Sequence, residues 1–430
     1  MYIADLHLHS RFSRATSRDC DLPHLDWWAG RKGIALLGTG DFTHPAWRSE
    51  LREQLIPAGE GVYALRPELR LPDGGPGAAP RFVITGEISC IYKRDGKTRK
   101  VHHLILLPSL EAAEALSARL EALGCNLRSD GRPILGLDSQ TLLELTLETC
   151  PGAEFIPAHI WTPHFSVFGA FSGFRSLEEC FGSLVPHIHA VETGLSSDPP
   201  MNWRFSGLDG LTLVSHSDAH SPGRLGREAD VLDTGRTYPE LTAAIRTGAG
   251  FQGTVEFFPE EGKYHLDGHR KCGVCLTPAE TAARGGLCPV CGKPLTIGVE
   301  HRTEELADRP LGFQPEQAKP FVSLIPLPEV IAASTGCSVL SKRTSRLYET
   351  LLRELGTEFS ILRELPVEDI RRAAGPCIAE GIRRLRAGKV ERRPGFDGEY
   401  GVISLLTPSE IQQLSGQPLP RRRSRKREVP

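Results

Sequence analysis

Asp5-Leu6-His7-Leu8-His9 lies near one end of the sequence, and Ser215-His216-Ser217-Asp218-Ala219-His220 lies some two hundred residues later. Each follows an apolar run, Tyr2-Ile3-Ala4 in one case and Leu211-Thr212-Leu213-Val214 in the other. Side chains alternate along an extended strand, so His7 and His9 share a side, as do Asp218 and His220. Imidazole and carboxylate groups at that spacing suit a divalent cation gripped from a strand end. A lone histidine is more often packed in a core; an H-x-H pair and a D-x-H pair at strand ends are harder to read that way. The ends of other apolar runs add Asp41, Glu87, His103 and His159. The set His7, His9, Asp41, Glu87, His103, His159, Asp218 and His220 exceeds the needs of one ion. The expectation is two or three ions, with Glu87 or a neighbouring carboxylate as the bridge. Such a centre deprotonates water and shields the anionic oxygens of a phosphoester displaced in line, with no serine or cysteine nucleophile. His7, His9, Glu87, Asp218 and His220 are the residues expected to carry that chemistry. Abundant histidine favours zinc or manganese over magnesium. Arg11, Arg14 and Arg18 follow the first pair, and Arg224 and Arg227 the last, where they suit phosphate contact.

A second ligand pattern lies at Cys272-Gly-Val-Cys275 and Cys288-Pro-Val-Cys291. Two C-x-x-C knuckles at this separation are expected to hold one zinc tetrahedrally through Cys272, Cys275, Cys288 and Cys291. With four sulfurs the site is closed, so its zinc is expected to be structural.

The elements that must position these residues are short apolar strands alternating with helix-like stretches. Gly33–Leu37, Arg81–Thr85, Val101–Leu107, Phe155–His159 and Ile188–Glu192 read as strands, with helical patterns at 110–123 and 140–149. Strand–helix alternation argues for a parallel sheet, and about seven such units for a closed β/α barrel with polar residues at the C-terminal strand ends. The domains read as a barrel over 1–255, a zinc module over 256–310, a mainly helical DNA-binding region over 311–420 and a basic disordered tail over 421–430. In the helical region Leu347, Leu351, Leu352 and Leu355, then Ile378, Ile382 and Leu385, recur at helical spacing. Arg383, Arg384, Arg386, Lys389, Arg392 and Arg393 could equally face phosphate or solvent.

Composition is that of an ordinary globular enzyme: 430 residues, 40% hydrophobic and 24% charged. The formal net charge of −2 leaves nucleic-acid binding to local basic patches, the Arg421–Arg427 run among them. No stretch approaches a membrane span, and Asp5 and His7 interrupt any secretory leader at the start. Eleven cysteines without a disulfide-scaffold pattern fit a reducing compartment, so a cytoplasmic, nucleoid-associated protein is expected.

His7-Leu-His9, Gly38-Thr-Gly-Asp41, Gly86-Glu87, His102-His103, His159 and Ser217-Asp218-Ala219-His220 together resemble the PHP (polymerase and histidinol phosphatase) superfamily over 1–255. The resemblance implies a distorted β/α barrel and metal-dependent phosphoesterase activity. It also exposes a departure: Phe42 stands where many members place a ligand histidine, leaving Asp41 or His44 to serve, with Asp41 favoured. Ser17 likewise stands where a carboxylate is common, with Asp19 nearby. The succession of barrel, cysteine module and a helical part containing Pro394-Gly-Phe-Asp-Gly-Glu-Tyr-Gly401 resembles the endonuclease Q family more narrowly, as do His9–Ser17 and Gly40–Pro45. That resemblance implies nicking of DNA 5′ to uracil, hypoxanthine, xanthine or an abasic site, with damaged DNA as partner and no nucleotide cofactor. Archaeal relatives can carry a sliding-clamp motif, but no such string is present here, which leaves a clamp partner open. An enzyme of this kind turns the damaged base out of the stack, and Trp161, Phe165, Phe168 and Phe171 are placed to stack on it. Trp161 and Phe165 join Arg11, Arg14 and Arg224 as the expected lesion and DNA contacts. The competing expectation is a PHP phosphatase of a small phosphoester.

Overall fold

Residues 1–416 are described by a computed structural model, so the basic run from Arg421 lies outside the described residues. The chain divides into two compact units: Met1–Leu324 with Arg392–Val402, and Ile325–Glu391 with the chain from Ile403. The cysteine module and residues 311–324 therefore belong to the first unit.

In the first unit the strands are β1 Tyr2–Asp5, β2 Ile34–Gly38, β3 Leu55–Gly59, β4 Val62–Leu65, β5 Arg81–Arg94, β6 Lys97–Leu107, β7 Ile134–Leu135, β8 Glu154–Pro157, β9 Ala190–Glu192, β10 Thr212–Val214, β11 Ala229–Leu232, β12 Phe251–Glu256, β13 Asp267–His269, β14 Val274–Leu276 and β15 Phe321–Ser323. Eleven of them form one mixed sheet in the order β15-β12-β11-β1-β2-β5-β4-β3, with β6 pairing β5 and β8 and β7 pairing β5. β9 and β10 form a separate parallel pair. One buried cluster takes Ala4, Leu36, Val83, Leu104, Ile156, Ala190, Val214, Leu232 and Phe251 from nine different strands, as a barrel interior requires.

The barrel is distorted because only part of it is parallel. β1–β2 and β2–β5 run parallel, whereas β5–β6, β6–β8, β1–β11 and β11–β12 are antiparallel. Strand–helix alternation led to a parallel expectation, and the long β5–β6 hairpin departs from it. Its turn is Asp95-Gly96, both at positive φ (51° and 73°), which matches the twist of the two strands and needs no crossover helix. Flanking polar residues hid this hairpin from the apolar pattern.

The second unit is helical: Leu327–Thr335, Lys342–Leu355, Glu358–Arg363, Val367–Ala374, Pro376–Arg386 and Pro408–Ser415. Leu351, Leu352, Ile378, Ile382 and Leu385 are buried, as their spacing requires. Three of its arginines have partners within the unit. Arg386 donates to the carbonyls of Ile361, Leu362 and Leu365, closing off the C-terminal end of the Glu358–Arg363 helix. Arg383 and Arg384 pair with Glu380, and Arg384 also with Glu410. Arg384 and Arg386 thus hold helices together, whereas Arg383 is half exposed in a surface pair.

Candidate metal centre

β1 ends at Asp5, whose carboxylate accepts from the backbone N–H groups of Ser217 and Gly226. This ties the segment after β1 to the segment after β10, and a bridge between Leu8 and Ala219 continues the contact. His7 and His9 thereby meet Asp218, with Glu87 reaching in from the middle of β5. One ligand atom from each of His7, His9, Glu87 and Asp218 lies within 4.8 Å of all the others. A second group, Glu87, His102 and His159, meets the same criterion and shares Glu87 with the first.

His7 shows that the first group fits a cation. Its Nδ1 lies 3.0 Å from both carboxylate oxygens of Glu192, which makes Nδ1 a donor and leaves Nε2 as the nitrogen that can take a cation. That buried Nε2 has no hydrogen-bond partner and lies 3.7 Å from both Glu87 Oε1 and Asp218 Oδ1. A ring nitrogen aimed between two carboxylates calls for positive charge there, supplied either by its own second proton or by a metal cation that replaces it. Burial pulls the pKa of His7 down, but Glu192 and Glu87 outweigh it and hold the ring well above its ordinary value. His9 is likewise pulled down by burial and held well up by Asp218 and Asp41. Burial pushes Glu87 up, but His102, His159 and His7 hold it well below the carboxylate range. The field that retains protons on His7 and His9 also attracts divalent ions, and binding would displace those protons.

Three residues here have left-handed backbone: Asp41 (φ 49°), His159 (φ 31°) and Asp218 (φ 47°). Aspartate tolerates that region; for His159 it is strain held by the surroundings, including its own N–H donating to Glu192 at 2.9 Å.

Several expected ligands lie elsewhere. His102, not His103, joins Glu87, at 2.5 Å. The β5–β6 register explains it: Ser89 faces His102 and Ile88 faces His103, so His102 shares the face of Glu87 while His103 points the other way. His103 bonds Ser139 Oγ at 2.8 Å and packs on Phe155 and Phe181, and burial lowers its pKa to about 3. Asp41 holds a ligand instead of being one. Its Oδ1 faces His9 Nδ1 at 3.1 Å, and its Oδ2 accepts from Ser10 N, Ser10 Oγ and Ser13 Oγ. His44 stacks on Phe12 and bonds the Arg128 carbonyl, and Asp19 is exposed. His220 is in neither cluster; its Nδ1 donates to the Asp218 carbonyl and its ring lies 4.5 Å from that of His9.

The contact residues divide similarly. Trp161 is fully buried, donates to Asn202 Oδ1 at 2.7 Å and packs on Phe168 and Phe205, so it is core and offers no surface to a base. Phe165 is half-buried, with its ring 4.8 Å from that of His102. Phe171, 53% exposed and stacked on His164, is the open aromatic of that loop. Arg11 is held by Asp21 and Glu50, Arg14 is 77% exposed beside Asp130, and Arg224 lies exposed on the Pro222–Arg224 turn.

Glu192, His216 and Arg132 escaped the sequence reading. Glu192 serves His7, His216 and the His159 amide together. Both nitrogens of His216 face carboxylates, Glu192 at 2.9 Å and Asp230 at 3.1 Å, so it is a buried cation and not a ligand. Its parity from Asp218 and the position of Glu192 at the end of a strand were the available signals. Glu192→Gln should weaken metal binding at the first cluster roughly 10–100-fold, because the amide no longer dictates the His7 tautomer. Competition titration against a chelator measures this; unchanged affinity would contradict it.

Behind this layer Glu228 and Glu256 lie one step beyond the Ala229–Val255 pair, both buried. Burial raises Glu256 to about 8, against hydroxyl donation from Thr254, Thr193 and Ser215; burial and the facing Glu256 raise Glu228 well above its ordinary value. Between the ordinary value of 4.5 and about 8, the native state keeps a proton that the unfolded chain has released. Stability therefore falls as pH rises through that window and levels off above it. Glu256→Gln should flatten this decline, seen as a smaller drop in thermal midpoint from pH 5 to pH 8 than in the wild type; parallel curves would refute the assignment of the retained proton to Glu256.

The second metal cluster needs a correction. His269, Cys272, Cys288 and Cys291 have one ligand atom each within 4.8 Å of all the others, and Cys275 is not among them. β14 explains why. Val274 and Leu276 pack toward Cys288 and Leu295, so Cys275 between them faces away. The knuckles are His269-x-x-Cys272-Gly273 and Cys288-x-x-Cys291-Gly292, each glycine left-handed (φ 64° and 70°). Cys291 Sγ lies 3.4 Å from His269 Nδ1. Burial would raise Cys288, but the amides of Cys291 and Val290 and the His269 ring lower it to about 6, favouring the thiolate.

Comparisons with known proteins find relatives over most of the chain. A family model described as the MJ0043 C-terminal domain matches residues 326–389. The uncharacterised protein YqxK of Bacillus subtilis (strain 168) is 32% identical over 381 residues, covering 86% of this chain and 89% of YqxK. The crystal structure of the lesion-specific endonuclease PfuEndoQ from Pyrococcus furiosus aligns at 31% identity with a TM-score of 0.83, covering 97% of this chain and all (100%) of that one. Endonuclease Q in complex with a 27-mer duplex carrying an abasic lesion at the active site aligns at 31% identity and 0.81, over 95% of this chain and 97% of that one. Likeness of that extent, at 31% identity over nearly the whole of both chains, places the chain in the endonuclease Q family.

Proposed function

We propose that the chain is a DNA-repair endonuclease that hydrolyses the phosphodiester 5′ to a deaminated base or an abasic site. The observation that carries this reading is Glu87, a single buried carboxylate shared by two ligand groups. Two divalent ions held there, zinc or manganese by the donor set, would supply Lewis acidity to a water molecule and to the phosphoryl oxygens in an in-line displacement. His7 and His9 present Nε2 because Glu192 and Asp41 engage their Nδ1 atoms. Asp218 and Glu87 provide the negative charge of the first group, and His102 and His159 complete the second. The His269, Cys272, Cys288 and Cys291 set suits one structural zinc in a closed site. The barrel at 1–255 carries the chemistry, and the module and the helical unit serve DNA binding. No helix among the described residues is long and apolar enough to cross a membrane.

The test uses end-labelled duplexes carrying one uracil, hypoxanthine, xanthine or abasic site, with and without chelator. Discrete 5′-side nicks that vanish with chelator and are absent from undamaged duplex are expected. Release of phosphate from small esters with no nicking would overturn the reading in favour of a small-molecule phosphatase.

A further inference from the structure

We infer that Arg132 is a further catalytic residue, whose guanidinium contacts a non-bridging oxygen of the scissile phosphate; this rests on the endonuclease reading. Arg132 Nη1 donates to Glu87 Oε2 at 3.1 Å, which puts a cation directly on the carboxylate shared by the two ligand groups. The geometry around Glu87 is divided. Oε1 faces His102 (2.5 Å), His159 (3.1 Å) and His7 (3.7 Å), while Oε2 faces His9 (3.4 Å) and Arg132.

The backbone carrying Arg132 is held on both sides. On one side, Gly131 N donates to the Phe12 carbonyl at 3.0 Å, and the Gly131 carbonyl accepts from Thr43 Oγ1. A side chain cannot be added there: a Cβ on Gly131 would fall 2.3 Å from Asp41 Oδ2 and 2.5 Å from Ser13 Oγ. On the other side, Ser89 N donates to the Pro133 carbonyl and β7 pairs with β5 at Ser89 and Cys90, beginning two residues beyond Glu87. Arg132 N itself donates to Asp130 Oδ1, which also accepts from Arg14 N. The loop is therefore pressed against the pair Asp41–His9 and stitched to the strand that carries Glu87.

The side chain differs from the other arginines near the site. Arg11 is held by surface acids and Arg14 is largely in solvent, whereas Arg132 is 24% exposed, with one face on the ligand set. Among the described residues Glu87 is its one side-chain acceptor, and a guanidinium has donors to spare in a planar fork that matches phosphate. When the charge of Glu87 is engaged by divalent ions, the guanidinium needs another anion beside it, and the phosphate at the ligand set supplies one. Its fixed position costs no reorganisation as charge builds on the phosphoryl oxygens.

The bland alternative is that Arg132 only orients Glu87. Single-turnover kinetics, elemental analysis and a substrate bearing a neutral methylphosphonate at the scissile position separate the two. Arg132→Gln should lower the maximal nicking rate on phosphate duplex roughly 100-fold, with metal content unchanged. Arg132→Lys, which keeps the charge and lacks the fork, should recover part of that loss. In anisotropy binding recorded before turnover, methylphosphonate should weaken the wild type about tenfold and the Arg132→Gln variant by clearly less, since only the contribution of the metal ions is left to lose. Loss of metal in step with rate, a wild-type rate, or additive losses on methylphosphonate would each overturn the inference. Wild-type protein that neither binds nor nicks lesion duplex would sink the endonuclease reading along with it. A nicking wild type beside an equally active Arg132→Gln sinks the inference alone.

Discussion

Glu87→Gln should abolish nicking to below about a thousandth of the wild-type rate and remove metal from both ligand groups together. The amide is nearly isosteric, so the barrel should stay folded; what it loses is charge. In the wild type, Glu87 is held well below the ordinary carboxylate range against its burial, by His102, His159 and His7. A neutral amide leaves the second group with imidazoles alone, and one of its two heteroatoms now points N–H donors at ligand lone pairs. Asp218→Asn should behave differently. Asp218 belongs to the first group only, so about half of the barrel metal should remain. Elemental analysis beside circular dichroism checks both variants. Retention of both ions in Glu87→Gln would show that the carboxylate is not their bridge.

The second large effect is expected in the cysteine module. Its buried apolar cluster is Leu276, Cys288 and Leu295, with Cys272 and Val274 packed against it, far too little to hold a fold. The module must draw its stability from a metal, for which apparent binding energies of about 10–16 kcal/mol are typical of small zinc domains at neutral pH. His269→Ala or Cys288→Ser should therefore release one zinc per chain and unprotect the amides of 267–296, while the barrel amides stay protected. Cys275→Ser should keep the zinc and the protection. Hydrogen exchange with zinc release measured by a chromophoric chelator distinguishes these outcomes. Zinc loss in Cys275→Ser with retention in His269→Ala would restore the four-sulfur site that the C-x-x-C spacing suggested.

The residues legible in the sequence were those whose position follows from where an apolar run stops. His7, His9, His159 and Asp218 stand just beyond strands, Glu87 stands just past the apolar Arg81–Thr85 run although β5 continues through it, and the structure gathers them. The errors were of parity and of shell. Choosing between His102 and His103 requires the register of β5 on β6, which no single-strand pattern contains. Asp41 has the right chemistry in the right place, yet serine donors and His9 consume its oxygens. Cys275 fits a familiar spacing, but Val274 and Leu276 decide which way it faces; the repeated x-x-Cys-Gly endings at 273 and 292 held the better signal. Trp161 sits in a loop that reads as exposed and is core because Phe168, Phe205 and Asn202 close around it. Arg132 was invisible, since only the folded loop delivers it to a carboxylate 45 positions away in sequence.

The most direct test of the central claim is anomalous diffraction from crystals grown with manganese in the medium, recorded at the manganese and zinc edges. The account expects two peaks flanking Glu87, one beside His7, His9 and Asp218 and the other beside His102 and His159, and a separate zinc peak at His269, Cys272, Cys288 and Cys291. A lone peak in the barrel, or peaks ligated by His103 and Asp41 without Glu87 between them, would contradict it.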